Sequence, residues 1–152
     1  MIWYPFTNQE DAPPPIHIER GNAEFVFDKN GKRYIDAISS WWTMVHGHNH
    51  PHIKDKIIAQ LNLLDHVMLA DFTHTPAAEL AEKLIAVNNG YFKKVFYSDN
   101  GSTAVEVMLK LAVQYWHNIG QKDKNIFIKF DTAYHGDTIG SMSVAASSIF
   151  TQ

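Results

Sequence analysis

Apolar and polar positions change period several times along the chain, and each change marks an element. Two short apolar runs, Glu24-Phe25-Val26-Phe27 and Arg33-Tyr34-Ile35-Asp36, flank Asp28-Lys29-Asn30-Gly31-Lys32, whose Asn-Gly suits positive-φ turn positions. This predicts a β-hairpin. After Pro51, the residues Ile53, Ile57, Ile58, Leu61 and Leu64 recur at helical spacing, with Lys54, Asp55, Lys56 and Gln60 facing away. A helix with one face on a core is expected there. A second helix is predicted from Thr75-Pro76, read as N-cap and first-turn proline, through the stripe Leu80, Ala81, Leu84 and Ile85, to the stop at Asn88-Asn89-Gly90. Lys93 to Tyr97 reads as a short buried strand, and Asn125 to Phe130 as the next one. The helix between them, from about Ser102 to His117, shows only the narrow polar stripe Glu106, Lys110 and Gln114, which predicts cover on most sides. Strand, helix and strand in that order predict a parallel βαβ unit with a right-handed crossover, hence an α/β class.

The polar stretches between these elements hold the candidate chemistry. Ser98-Asp99-Asn100-Gly101-Ser102-Thr103 lies between a strand and a helix start. Free amides and the positive end of the helix dipole meet there, a setting that stabilises an anion such as phosphate. Gly101 lets backbone approach closely, and Ser102 and Thr103 add hydroxyl donors. The ordinary alternative is a strand-to-helix turn capped by Asn or Ser. Neither a Gly-Lys-Ser/Thr loop nor Gly-x-Gly-x-x-Gly is present, which leaves a monophosphate-type anchor such as that for a phosphorylated cofactor. A second polar loop, Asp131 to Gly140, follows the next strand and is expected to face the same pocket. Its Tyr134-His135-Gly136-Asp137 offers a ring, a proton shuttle and a carboxylate, or simply a turn in which Asp137 caps a short helix starting near Thr138.

Trp41-Trp42 reads by default as core or interface aromatics, and alternatively as a pocket wall in a polar loop. His46, His48, His50 and His52 alternate, as zinc or nickel ligands on an extended strand would. Gly47 and Pro51 break such a strand and no carboxylate or thiolate lies nearby in sequence, so hydrogen-bonding loop histidines are favoured and no metal site is expected.

Bulk properties narrow the classes further. The 152 residues are 45% hydrophobic and 19% charged, a globular balance, and the net charge of −3 is spread without a basic face, so neither nucleic acid nor an anionic membrane surface is an expected partner. With no cysteine there is no disulfide or thiolate chemistry. No signal-like start or membrane-length apolar run is seen, and a cytoplasmic protein is expected. Residues 1–20, with Pro5 and Pro13-Pro14-Pro15, predict an extended arm lying on another surface. One βαβ unit is an incomplete sheet, so part of a larger fold, or a chain in need of a partner, is expected.

Taken in order, the segments Trp3-Tyr4-Pro5-Phe6-Thr7, Ser39-Ser40-Trp41-Trp42 with His46-Gly47 and Asn49-His50-Pro51, Ser98 to Ser102 with Ala104-Val105-Glu106-Val107, Gln114-Tyr115-Trp116 and Tyr134-His135-Gly136-Asp137-Thr138 resemble those of the class III, fold-type I pyridoxal-phosphate aminotransferases. The resemblance runs the length of the chain but covers only the opening third or so of the family's length. It is strongest to the members that aminate 8-amino-7-oxononanoate to 7,8-diaminononanoate in biotin biosynthesis.

The resemblance implies an incomplete fold-type I transferase: arm, hairpin and small-domain segment over residues 1–48, then the start of the large cofactor-binding domain over 49–152. It implies pyridoxal 5'-phosphate as cofactor, its phosphate held by Gly101 and Ser102 and its ring stacked on Tyr134, which also touches substrate. Trp41, Trp42 and Phe6 are implied to line the substrate pocket. Phe6 stands where members using adenosylmethionine as amino donor have Tyr, which leaves the donor open between adenosylmethionine and lysine. A homodimer is implied for the full-length enzyme. The family's Schiff-base Lys, the Asp that pairs with the pyridine nitrogen and the Arg that holds the oxo-acid carboxylate have no counterpart in these residues, so the chain alone is expected to be inactive. Two other readings remain: a non-catalytic module that binds a phosphorylated ligand or a partner, and another class III ω-aminotransferase.

Overall fold

The computed structural model describes residues 2–146; the closing stretch 147–152 lies outside the described residues. Chain contacts divide it into two units, Met1–Thr73 and His74–Gln152.

The first unit is built on a three-stranded antiparallel sheet of order β1-β2-β3, with β1 at Ile18–Asn22, β2 at Phe25–Asp28 and β3 at Arg33–Ile35. The predicted hairpin is β2-β3, paired Phe25 to Ile35, Val26 to Tyr34 and Phe27 to Arg33. Its turn differs from the expectation in one respect: of Asn30 and Gly31, only Gly31 takes a positive φ, +80°. Asp28 explains this, because its Oδ1 accepts from the amides of Asn30 and Lys32 at 2.9 Å each, while Gly31 N–H donates to the Asp28 carbonyl at 2.9 Å. The carboxylate closes an ordinary right-handed turn and leaves one left-handed position for the glycine. Residues 18–20, expected in the arm, are strand: β1 pairs with β2 from Ile18–Asp28 to Asn22–Phe25. Unpaired amides on the β2 edge are satisfied by this third strand.

Beyond the sheet, α1 at Ser39–Trp42 is a single turn and α2 runs Pro51–Leu61 with its proline in the first turn, where a missing N–H costs nothing. The expected core under α2 is absent among the described residues of this unit, since Ile53, Ile57, Ile58 and Leu61 remain 41%, 56%, 51% and 58% exposed.

In the second unit α3 spans Thr75–Val87, with His74 rather than Thr75 in the N-cap position and Asn89 and Gly90 at φ +50° and +68° closing its end. The long helix α4, Gly101–Asn118, opens on Asn100, and α5 is the short turn Ile139–Ser143, packed on α4. The two strands predicted at 93–97 and 125–130 carry no strand pairing among the described residues, so no parallel βαβ ladder forms there. Among the described residues neither segment has a neighbouring strand, and Phe96, Ile126, Ile128 and Phe130 stand 73%, 88%, 99% and 81% exposed. Away from its contact with α5, helix α4 is likewise open, with no buried residue and with Met108 and Leu111 at 57% and 62% exposure.

The chain exposes 13333 Å², where the scaling for folded monomers gives about 7,800 Å² at this mass. Its apolar faces are made for contacts that the described residues do not supply. Among the described residues only Gly136, Ser141 and Ala145 are buried, and all three belong to the segment that meets α4.

Candidate active site

The start of α4 is held by a capping box. Asn100 Oδ1 accepts from Thr103 N–H at 3.0 Å, and Thr103 Oγ1 accepts from Asn100 N–H at 3.2 Å. Asn100 is therefore the N-cap, so the capped-turn reading holds, and it does not compete with the anion reading. The cap engages the Thr103 amide, and the Asn100 carbonyl takes Ala104 N–H. No acceptor among the described residues takes the amides of Gly101 and Ser102. A Cβ on Gly101 would meet nothing within 4 Å, so this face of the helix start is open. Two free amides, the dipole of an 18-residue helix and an open approach fit a phosphate.

Ser102 joins this cradle to the second polar loop. Its Oγ accepts from Asp137 N–H at 3.1 Å, leaving its own hydroxyl proton free to donate to an anion. Gly136, at φ +126°, passes so close to Ser102 that a Cβ there would lie 2.7 Å from Ser102 Cβ and 2.8 Å from its Cα. Within this unit the two loops therefore meet, as expected. Tyr134 donates its hydroxyl to Asp137 Oδ2 at 2.9 Å, and this bond to a carboxylate raises the phenol above its ordinary pKa. The ring itself is exposed. Asp137 is not the cap of α5; Thr138 is, through its exchange of hydrogen bonds with Ser141.

Glu106 belongs to the narrow polar stripe of α4, and the fold gives it a tertiary partner that its spacing does not predict. Its Oε1 accepts from Gly140 N–H at 2.7 Å and Ser141 N–H at 3.3 Å, so it caps α5 from α4. A hydrogen bond from the Thr138 side chain, followed by the Gly140 and Ser141 amides, holds its carboxyl below the ordinary range. The sequence signals for it are its place one turn after the cradle on the same helix and its presence in the family-like segment Ala104-Val105-Glu106-Val107.

In the first unit, Trp41 and Trp42 form an edge-to-face pair with centroids 6.4 Å apart, and Phe6 lies 5.6 Å from Trp41. The indoles are 57% and 74% exposed, so they are not core residues within the unit. Their backbone is unusual. Ser39, Ser40, Trp41 and Trp42 take φ of +49°, +47°, +63° and +68°, one complete left-handed turn without a glycine. Each such residue costs about 1–2 kcal/mol, so the turn costs about 4–8 kcal/mol before its hydrogen bonds are counted.

The histidine series does not converge: His48 Nε2 bonds Asp36 Oδ2 at 2.8 Å, His46 and His50 have ring centroids 6.0 Å apart, and no group of three metal-ligating side chains occurs among the described residues. The carboxylate absent from the histidine neighbourhood in sequence is supplied by the fold.

The chain belongs to the class-III aminotransferase family, whose profile matches residues 6–152. It is 48% identical over 149 residues to the adenosylmethionine-8-amino-7-oxononanoate aminotransferase of Synechococcus elongatus and 42% identical over 151 residues to that of Aquifex aeolicus, in each case over 98% of this chain. It spans 35% and 33% of those two proteins, about a third of their length. Among solved structures, the enzyme of the same name from Methanocaldococcus jannaschii superposes with a TM-score of 0.93 at 37% identity, over 98% of this chain and 34% of that one. An amine transaminase from an uncultivated Pseudomonas species, solved with pyridoxal phosphate bound, superposes at 0.89 with 30% identity, over 98% and 34%. The fold is thus a partial α/β fold of the pyridoxal-phosphate transaminases, and enzymes of this family work with that cofactor.

Proposed function

We propose that the chain is the cofactor-anchoring segment of an aminotransferase that converts 8-amino-7-oxononanoate to 7,8-diaminononanoate in biotin biosynthesis. The observation that carries the proposal is Ser102, which sits in the first turn of α4 and accepts from the Asp137 amide, so that the phosphate cradle and the Tyr134 loop share one side chain. The Gly101 and Ser102 amides and the Ser102 hydroxyl would hold the phosphate of pyridoxal 5'-phosphate with the helix dipole behind them, a neutralisation that involves no proton transfer. Tyr134 would give the cofactor ring an aromatic face and touch substrate; its bond to Asp137 restricts the phenol. Trp41, Trp42 and Phe6 would line the substrate pocket. When bound, the cofactor supplies the electron sink for cleaving the bond between a substrate carbon and its hydrogen.

The family's cofactor-linking lysine has no counterpart in residues 1–152. We therefore propose that the chain alone does not turn over, in keeping with its spanning a third of its relatives. In the same reading, residues 1–48 belong to a small domain and 49–152 open the large one, the full-length enzyme is a cytoplasmic homodimer, and the amino donor is adenosylmethionine or lysine. Among the described residues no helix is long and apolar enough to cross a membrane.

The test is turnover by the full-length enzyme carrying this segment, purified with pyridoxal phosphate and offered 8-amino-7-oxononanoate with each donor, beside the 152-residue chain. Product from the full-length enzyme alone supports the proposal. Turnover restricted to simple ω-amino acids assigns a different class III reaction. A full-length protein that never acquires the cofactor's visible absorbance refutes the anchoring role, and then a non-catalytic module is the better description.

A further inference from the structure

The left-handed turn Ser39–Trp42 contains no glycine or asparagine, the residues that enter this region cheaply, so its conformation is imposed by its partners. The Asp36 side chain supplies two of them, both to Ser40. Asp36 Oδ1 accepts from Ser40 N–H at 2.9 Å, and Asp36 Oδ2 accepts from the Ser40 hydroxyl at 2.7 Å and meets His48 Nε2 at 2.8 Å. The Asp36 carbonyl also accepts from Ser39 N–H at 3.1 Å. This brace is tied to the sheet at both ends: Asp36 N–H donates to the Glu24 carbonyl at 2.9 Å, and His48 exchanges backbone bonds with Ala23 at 2.7 and 3.0 Å. Charge-assisted bonds of this length are stronger than the neutral bonds that complete the turn, Trp42 N–H to the Ile38 carbonyl at 2.8 Å and Thr43 Oγ1 to the Ser40 carbonyl at 2.8 Å.

We propose that Asp36 is a positioning residue for the substrate wall: its carboxylate holds Ser40 in the left-handed region and thereby sets the directions of the Trp41 and Trp42 indoles. Reversing the hand of the turn would swing both side chains off their present directions, because side-chain direction follows backbone hand. The inference rests on the reading of the two indoles as substrate-lining residues. Asp36 acts through the turn and touches neither substrate nor cofactor.

The test uses the full-length enzyme with Asp36→Ala, and with Asp36→Ala combined with Ser40→Gly. Glycine takes a positive φ without the side-chain penalty, so it restores the turn without restoring the carboxylate. Asp36→Ala is expected to raise KM for the oxo substrate at least tenfold with kcat within threefold, and to abolish the near-ultraviolet dichroism of the coupled Trp41–Trp42 pair. The added Ser40→Gly is expected to bring both readouts back to within threefold of the parent. An unchanged indole signal in Asp36→Ala, or no glycine rescue in a variant with parental far-ultraviolet dichroism, overturns the proposal. Should Asp36→Ala fail to fold, Ser40→Ala, which removes only the 2.7 Å hydroxyl bond, carries the test: a weakened indole signal supports the brace, and an unchanged one refutes it. The dichroism arm needs no turnover, so failure of the oxononanoate assay counts against the proposed function and not against the brace.

Discussion

Replacing Gly136 by alanine tests the junction between the cradle and the Tyr134 loop most directly. Its backbone sits at φ +126°, and the new Cβ would lie 2.7 Å from Ser102 Cβ and 2.8 Å from Ser102 Cα, closer than such atoms approach one another. Because one of those atoms is backbone, rotating the serine side chain does not relieve the contact, and the loop must lift from α4. A left-handed position costs a residue with a Cβ about 1–2 kcal/mol, and overpacking adds about 1–3 kcal/mol. Against this, alanine lowers the entropy of the unfolded chain by up to about 1 kcal/mol. The net is about 1–5 kcal/mol. If about 2 kcal/mol of it falls on the geometry needed to hold the phosphate, affinity drops about thirtyfold. The assay is titration of the full-length apoenzyme with pyridoxal phosphate, followed by absorbance, with thermal unfolding of the apoenzyme measured in parallel. A Gly136→Ala enzyme that binds the cofactor within threefold of the parent would show that the Ser102–Asp137 junction has no part in the cofactor site.

Three further outcomes are expected. Ser102→Ala removes both the hydroxyl donor and the acceptor for Asp137 N–H, and loss of one hydrogen bond to a charged group, about 1.5–3 kcal/mol, predicts a tenfold to hundredfold weaker cofactor in the same titration. Asn100→Ala deletes the N-cap bond to Thr103 N–H and is expected to lower stability by about 1 kcal/mol in urea unfolding, with restoration by Asn100→Asp. Asp36, held at about 2 instead of 3.8 by the Ser40 amide, the Ser40 hydroxyl and His48, binds fewer protons folded than unfolded. Its stabilisation is full above the unfolded value and is lost as pH falls through the folded one, so the gap in thermal midpoint between the parent and Asp36→Asn should close between about pH 4 and pH 2. Asp28 and Glu106, also held low, titrate in the same direction, and the difference between variants isolates Asp36.

What was legible in the sequence was local. The hairpin, the starts of α2 and α3 and the body of α4 follow from turn chemistry, proline placement and apolar spacing, which act within a few residues. The motif order was enough to point to the family. The strands expected at 93–97 and 125–130 are a different case, because an apolar run states only that burial is wanted. Pairing depends on a neighbouring strand, and none is present among the described residues.

Tertiary structure alone decided which polar groups meet. Asp36 and His48 are 12 residues apart and looked like a strand end and a loop histidine, yet they close one brace. Glu106 and Gly140 are 34 apart, and Ser102 and Asp137 are 35 apart. The left-handed turn that carries Trp41 and Trp42 shows the limit most sharply. Intrinsic preference argues against it at every one of its four residues, yet Asp36 and Ile38, three or four residues back, hydrogen-bond it in that conformation. Periodicity and propensity describe what each residue favours by itself; the joining of cradle to loop, and of Asp36 to His48, is set by contacts between residues distant in sequence.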